Sequence, residues 1–262
     1  MPLEDIINRT YSAWMSTDAP HADVALSSRV RLARNLGNIP FPNQASETDL
    51  AEVVEKVQKA ISRAPELSRL EVMRLSEVSA LERQILVEKH LISPQLAQCT
   101  QNRLAIVAED ESVSVMVNEE DHIRIQTLLP GFQLSEAYQI ADKIDDLLES
   151  QLDYAFDEQI GYIAACPTNV GTGLRVSIMV HLPALVATGR VKAVLSAVSN
   201  LGIAVRGLYG EGSEASGNLF QLSNQVTLGR SEPELIENLA AVTGQVIEQE
   251  RATRKKLVLE MK

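Results

Sequence analysis

Five stretches of the chain alternate apolar and polar residues with a period of two: Val24 to Leu32, Ser112 to Val117, His122 to Leu128, Leu174 to His181 and Phe220 to Val226. Successive strand residues point to opposite faces, so each stretch predicts a strand with one covered side. Sheets of that kind are usually antiparallel. The strands are interleaved with long helical segments but lack regular βαβ spacing. The predicted class is therefore α+β, a mostly antiparallel β-sheet flanked by helices.

Three segments carry helical periodicity. Leu50, Val53, Val54, Val57, Ala60 and Ile61 share one face, with Asp49 and Glu52 spaced as a capping box. A second helix opens near Ser135 and aligns Ile140, Ile144, Leu147 and Leu148. A third starts at Ser231 with Pro233 in its first turn and Glu234 at the capping position, and turns Leu235, Leu239, Val242 and Val246 inward. From Glu248 the pattern becomes charged. The expected organisation is a domain over residues 1–247 followed by a solvated helical tail over 248–262.

Side-chain alternation assigns the arginines to faces. Leu26, Ser28, Val30 and Leu32 share one side of the first strand, and Ser27, Arg29 and Arg31 share the other. Ile123 and Ile125 oppose His122, Arg124 and Gln126. Leu174, Val176, Ile178 and Val180 oppose Arg175, Ser177, Met179 and His181, and Val205 and Arg206 repeat the arrangement. Singly, each arginine reads as a solvated surface side chain. Five on strands of a protein with net charge -11 form a cluster that repels itself unless an anion neutralises it. A polyphosphate is the inferred ligand. With no Walker A motif and no GxGxxG, guanidinium groups must replace the usual backbone cradle.

The acidic balance argues against a nucleic-acid or anionic-membrane binder. No apolar run reaches the roughly 18–20 residues of a membrane helix. The two cysteines, Cys99 and Cys166, form no CxxC, so a zinc site or disulfide framework is not expected. The chain reads as cytoplasmic.

Near the arginines lie two chemically distinctive stretches. Asn118-Glu119-Glu120-Asp121-His122 sets three carboxylates at a strand end, where one can serve magnesium through water and another can hold or deprotonate a cationic nucleophile. Cys166-Pro-Thr-Asn-Val-Gly-Thr-Gly-Leu-Arg175 makes a tight loop that ends on a phosphate-directed arginine, a setting that activates a thiol. Cys99 lacks that context and reads as structural. Arg206-Gly-Leu-Tyr-Gly-Glu-Gly-Ser-Glu-Ala-Ser-Gly has the glycine content of a lid.

Four blocks in order, Ser27-Ser-Arg-Val-Arg31, Asn118-Glu-Glu-Asp-His122, Cys166-Pro-Thr-Asn-Val-Gly-Thr172 and Arg206-Gly with Gly210-Glu211, resemble the ATP:guanido phosphotransferases, the family of creatine and arginine kinases. The resemblance runs from about Asp23 to Leu239. It implies the guanido kinase catalytic-domain fold, MgATP as the phosphoryl source, and nucleotide contacts at Ser27, Ser28, Arg29, Val30 and Arg31, at His90 and Arg124, and at Arg175, Val176, Ser177, Ile178 and Met179. Further contacts are implied at Arg206, Gly207, Leu208, Tyr209, Gly210 and Glu211. By the same resemblance Glu119 is the carboxylate linked to magnesium through water. Glu120 and Glu211 clamp the substrate guanidinium, with Glu120 the better base, and Cys166 sets its sulfur against that guanidinium.

Only 26 residues precede Ser27, fewer than the N-terminal helical domain of the small-substrate enzymes needs, and Gln221 stands where those enzymes usually have aspartate. Both features are similar to the bacterial protein-arginine kinases, a branch that continues into a C-terminal helical domain; here the chain is expected to lack it. The implied activity is phosphorylation of arginine in proteins within quality control or stress response. Implied partners are protein substrates with exposed arginine, an activator protein and an AAA+ protease system. Rival readings are a phosphagen kinase for free arginine or another small guanidino compound, and a non-catalytic ATP-binding adaptor.

Overall fold

The structure, a computed structural model, describes residues 3–207 and 216–260. Its main sheet contains β1 (Ala25–Arg34), β2 (Glu71–Arg74), β3 (Leu104–Val107), β4 (Val113–Val117), β5 (Ile123–Pro130), β8 (Leu174–His181), β9 (Ile203–Gly207) and β10 (Leu219–Asn224). The spatial order is β2-β3-β4-β5-β1-β8-β10-β9, with every neighbouring pair antiparallel. A two-stranded hairpin, β6 (Phe156–Asp157) and β7 (Gly161–Tyr162), stands apart from it. The α+β expectation is met.

The five alternating stretches correspond to β1, β4, β5, β8 and β10. Three strands escaped the pattern. All four residues of β3 are buried, so it has no polar face to read, and β2 and β9 are short edge strands.

The apolar strand faces, among them Val30, Leu32, Val115, Ile123, Ile125, Val176 and Ile178, pack under α2 (Glu47–Arg63), α5 (Leu134–Glu149) and α8 (Glu232–Glu260) in one core. Helix α2 opens on a capping box made by Ser46 and Asp49, three residues upstream of the expected Asp49–Glu52 pair. Ser46 has the extended backbone a cap requires, whereas Asp49 already lies within the first turn. Helix α8 opens on the expected Ser231–Glu234 box.

The charged tail is helical and largely exposed, but it is not solvated throughout. Helix α8 runs unbroken to Glu260, and Glu250 is fully buried, accepting the amides of Ala184 and Leu185 at 3.0 Å each. Those amides open α6 (Pro183–Ala187), whose orphan N–H groups need an acceptor. A charge that looks solvated by composition is thus an internal cap.

The opposite sheet face is covered only at one end. Over β2, β3 and β4, residues Met73, Ala105, Val107 and Met116 join Ile6, Leu86 and Leu96 from α1 (Leu3–Asn8), α3 (Ala80–Glu88) and α4 (Pro94–Gln98) in a second cluster. On β5, β1, β8 and β9 that face carries the arginines.

Candidate active site

Strand register builds the site in rows. Gln126, Arg31 and Arg175 stand side by side across β5, β1 and β8. The next row is Leu128, Arg29, Ser177 and Ser223, and the next is Ser27, Met179, Gln221 and Arg206. Arg124 opposes Ala33 one row beyond Arg31. Burial, then Arg124 and Arg175, push Arg29 down to about 10. Burial and then Arg29, Arg124 and Arg175 lower Arg31 further, and Glu119 only partly opposes them. The Arg31 Nε is buried without a hydrogen-bond partner among the described residues. Like charges held this close create a standing demand for an anion, which bidentate guanidinium forks suit.

Val30, Val176 and Ile178, expected among the nucleotide contacts, do not present their side chains to the arginine face. Their side chains are in the core on the far side of the sheet, at 0–1% exposure. Ser28 faces the same way; its Oγ donates to the Gly131 carbonyl and accepts from the Gln133 amide. The implied contact stretches are strands, and a strand shows a ligand only every second side chain. Leu208, Tyr209, Gly210 and Glu211 lie outside the described residues, and Gly207 ends β9.

The carboxylates have divided roles. Glu119, buried, accepts from Arg124 Nη1 at 2.7 Å, Ser93 Oγ at 2.6 Å and the Glu120 amide at 2.9 Å. Glu120 is more open and meets Arg124 Nη2 at 3.1 Å. Desolvation raises its pKa, reinforced by Asp121 and Glu119 and opposed by Arg124 and Arg31. Asp121 is fully buried: its Oδ1 accepts from Asn35 Nδ2 and from the Ala165 amide, both at 2.7 Å. Glu120 and Cys166 therefore flank one hydrogen bond. His122 does not join Arg124 and Gln126. It turns inward, accepting the Leu36 amide at Nδ1 and donating from Nε2 to the Pro40 carbonyl.

Cys166 is half-exposed, with Sγ 3.0 Å from Thr168 Oγ1 at the start of a 3-10 turn, Pro167–Asn169. Thr227 ties that loop down with its hydroxyl, whose one hydrogen is shared between the carbonyls of Thr168 and Val170 at 2.9 and 2.7 Å. Gly173 is required at φ +64, because an added Cβ would stand 2.5 Å from Arg34 Nη1. Cys99, read as structural, is exposed at the end of α4.

Beside Arg29 a small cleft of about 20 Å³ is lined by Trp14, Ser27, Arg29, His90, Leu128, Ser177, Met179 and Gln221. His90 follows α3 with φ +61, and the His90 and Leu91 amides bond back to Val87 and Leu86. That is the helix-ending motif in which glycine is usual, so histidine here bears a conformational cost. Gln126 Nε2 holds the His90 carbonyl at 2.6 Å. Gln221 accepts from Arg29 Nη2 at 3.3 Å. Trp14 and Ser93 had no functional sequence signal, and Asp121 and Gln126 showed only as members of the carboxylate run and of the Arg124 strand face, since their value depends on partners distant in the chain. The one usable hint was a single tryptophan in a chain only 4% aromatic.

No cluster of three or more metal-ligating side chains occurs among the described residues. Glu119 accepts three hydrogen bonds, leaving about one of a carboxylate's four lone-pair positions. That fits a water-mediated link to a magnesium ion held chiefly by phosphate oxygens.

Residues 52–253 match the ATP:guanido phosphotransferase C-terminal catalytic domain. The chain is 52% identical over 260 residues to a protein-arginine kinase of Pelotomaculum thermopropionicum, covering 98% of this chain and 73% of that protein. It is 55% identical over 250 residues to a protein-arginine kinase of Moorella thermoacetica, covering 94% and 71%. In fold it is similar to lombricine kinase, with a TM-score of 0.79 at 21% identity, over 95% of this chain and 71% of that one.

Proposed function

This chain belongs to the ATP:guanido phosphotransferase family, and we propose that it phosphorylates arginine side chains of proteins with ATP. The carrying observation is the juxtaposition of a crowded arginine face, where Arg31 has mostly cations for neighbours, with Glu120 and Cys166, which border the Asp121–Ala165 hydrogen bond. The protein substrate is supported by relatives about half identical over nearly the whole chain.

Arginine is a poor nucleophile, delocalised and with a pKa above about 12. Catalysis must then come from alignment and charge. Arg29, Arg31, Arg124, Arg175 and Arg206 take the phosphates and neutralise the transferring group. Glu120 orients the guanidinium and accepts its proton as the N–P bond forms and the bond to the ADP oxygen breaks. Its raised pKa makes it a better proton acceptor than an ordinary carboxylate. By resemblance, Cys166 and Glu211 complete an anionic pocket for the guanidinium. Magnesium, linked through water to Glu119, supplies further charge neutralisation when bound.

The catalytic domain, expected over residues 1–247, is extended to include Glu250, since that residue caps α6 and the family match runs to residue 253. No described helix is long and apolar enough to cross a membrane. A cytoplasmic setting, an activator protein and an AAA+ protease system belong to the proposal on resemblance alone.

Radiolabelled ATP supplied with free arginine, with an arginine-rich unfolded protein, or with neither tests the reading. The expected product is acid-labile, P–N-linked phosphate on protein arginine, identified by mass spectrometry under neutral conditions. Acid-stable label on serine or threonine, or faster turnover of free arginine, would sink it.

A further inference from the structure

Trp14 is the only tryptophan of the chain, and it sits on a three-residue 3-10 turn, Ala13–Met15, that packs against β1 and β5. Its ring meets the His90 imidazole with centroids 5.3 Å apart and planes inclined at 58°. Both rings line the cleft to which Arg29 also contributes. We propose that Trp14 is a base-binding residue, forming with His90 an aromatic platform that receives the purine of the nucleotide and sets its affinity and base preference. The inference rests on the nucleotide reading of the arginine face and deepens it.

The cleft joins two kinds of surface. Trp14, His90, Leu128 and Met179 supply ring and apolar surface, whereas Arg29, in the strand row next to Arg31 and Arg175, is one of the phosphate-directed guanidiniums. A ligand with a flat ring and phosphates matches that combination. Bases stack readily on aromatic side chains, and indole offers the largest face. The Trp14 Nε1–H has no hydrogen-bond partner among the described residues, so no polar contact accounts for an indole at this position. The histidine is suited to stacking as well: burial and then Arg29 depress its pKa, so the ring stays neutral at pH 7 and adds no cation to the crowded guanidiniums. The left-handed backbone at His90, held by Gln126, is the kind of local cost retained where a side chain must be aimed.

Because no other tryptophan is present, emission of the full chain reports this ring alone. ADP titration should change Trp14 emission saturably, while inorganic tripolyphosphate should bind by calorimetry and leave the emission nearly constant. Trp14→Ala should weaken ADP about tenfold or more, the range of one base–aromatic stack, yet bind tripolyphosphate as the parent does. Trp14→Phe should recover most of the loss, and KM for ATP should rise more than kcat falls. The preference for ATP over CTP should narrow in Trp14→Ala.

An unchanged ADP affinity in a folded Trp14→Ala, or emission blind to ADP in the parent protein, would overturn the platform. Should the alanine variant fail to fold, the parent's emission response and Trp14→Phe decide. Failure of the parent to bind either ADP or tripolyphosphate would instead remove the nucleotide reading itself.

Discussion

The amide of Ala165 donates to Asp121 Oδ1 at 2.7 Å, tying the carboxylate-bearing β4–β5 turn to the loop that carries Cys166. Glu120 and Cys166 are each one residue from that bond, so their separation is set by a group that itself has no access to substrate. Asp121 is wholly buried and also holds Asn35, whose Oδ1 accepts the His122 amide. The clamp on the guanidinium is thus built from within.

Replacing Asp121 with alanine should leave the Ala165 amide without its acceptor, costing roughly 1–3 kcal/mol of stability. Turnover should drop by about tenfold or more, since small misplacements of catalytic groups are expensive. Asp121→Asn retains one carbonyl acceptor and should recover part of the rate. Thermal unfolding and kcat measured together check this; a normal rate in Asp121→Ala would show that the tie does not position the clamp.

Arg34 is 1% exposed, donates from Nε and Nη2 to Asp145 Oδ2 at 2.9 and 2.6 Å, and lies 3.6 Å from the centre of the Tyr162 ring. Its Nη1 also donates to the Thr172 carbonyl, at the end of the Cys166 loop. Arg34→Met should lower stability by about 3–5 kcal/mol, because a buried carboxylate loses its partner. Adding Asp145→Asn should restore part of that loss. Urea unfolding of the two single variants and the double reads the coupling, and strict additivity would contradict it.

Arg31 behaves in the opposite sense. Its neighbours are mostly cations, and burial and like charge dominate its environment. Arg31→Met should leave ligand-free stability unchanged or raise it by about 1 kcal/mol. The same change should remove most of the thermal stabilisation that ADP provides to the parent. Differential scanning calorimetry with and without ADP distinguishes the two effects. A destabilised variant that kept the full ADP shift would contradict the account of Arg31.

Glu120 predicts a pH profile. The ionised form is the base, and the folded protein raises its pKa, so the acid limb of kcat/KM should fall above the ordinary glutamate value of about 4.3. Activity is lost as pH falls through that limb and is recovered as it rises. Glu120→Gln should remove the limb together with nearly all turnover while preserving ADP binding. A rate independent of pH across this limb in the parent would argue against Glu120 as the base.

Alternation by itself determined the fold class and the arginine face, because period two reports which side of a strand meets the core. It separated Arg29, Arg31, Arg124 and Arg175 from Val30, Ile123 and Val176 without any knowledge of partners. Motif resemblance then supplied their chemistry, but it treated contact stretches as continuous, and only the sheet showed Val30, Val176 and Ile178 turned away. Arg34 and Glu250 escaped for a complementary reason: a charge can be buried when its partner, Asp145 or the start of α6, lies far along the chain. Asp121, Gln126 and Trp14 likewise derive their roles from contacts across 44, 36 and 76 positions of sequence. Local pattern records where a side chain points, whereas tertiary packing decides what it meets, because hydrogen bonds and ring contacts depend on distance in space alone.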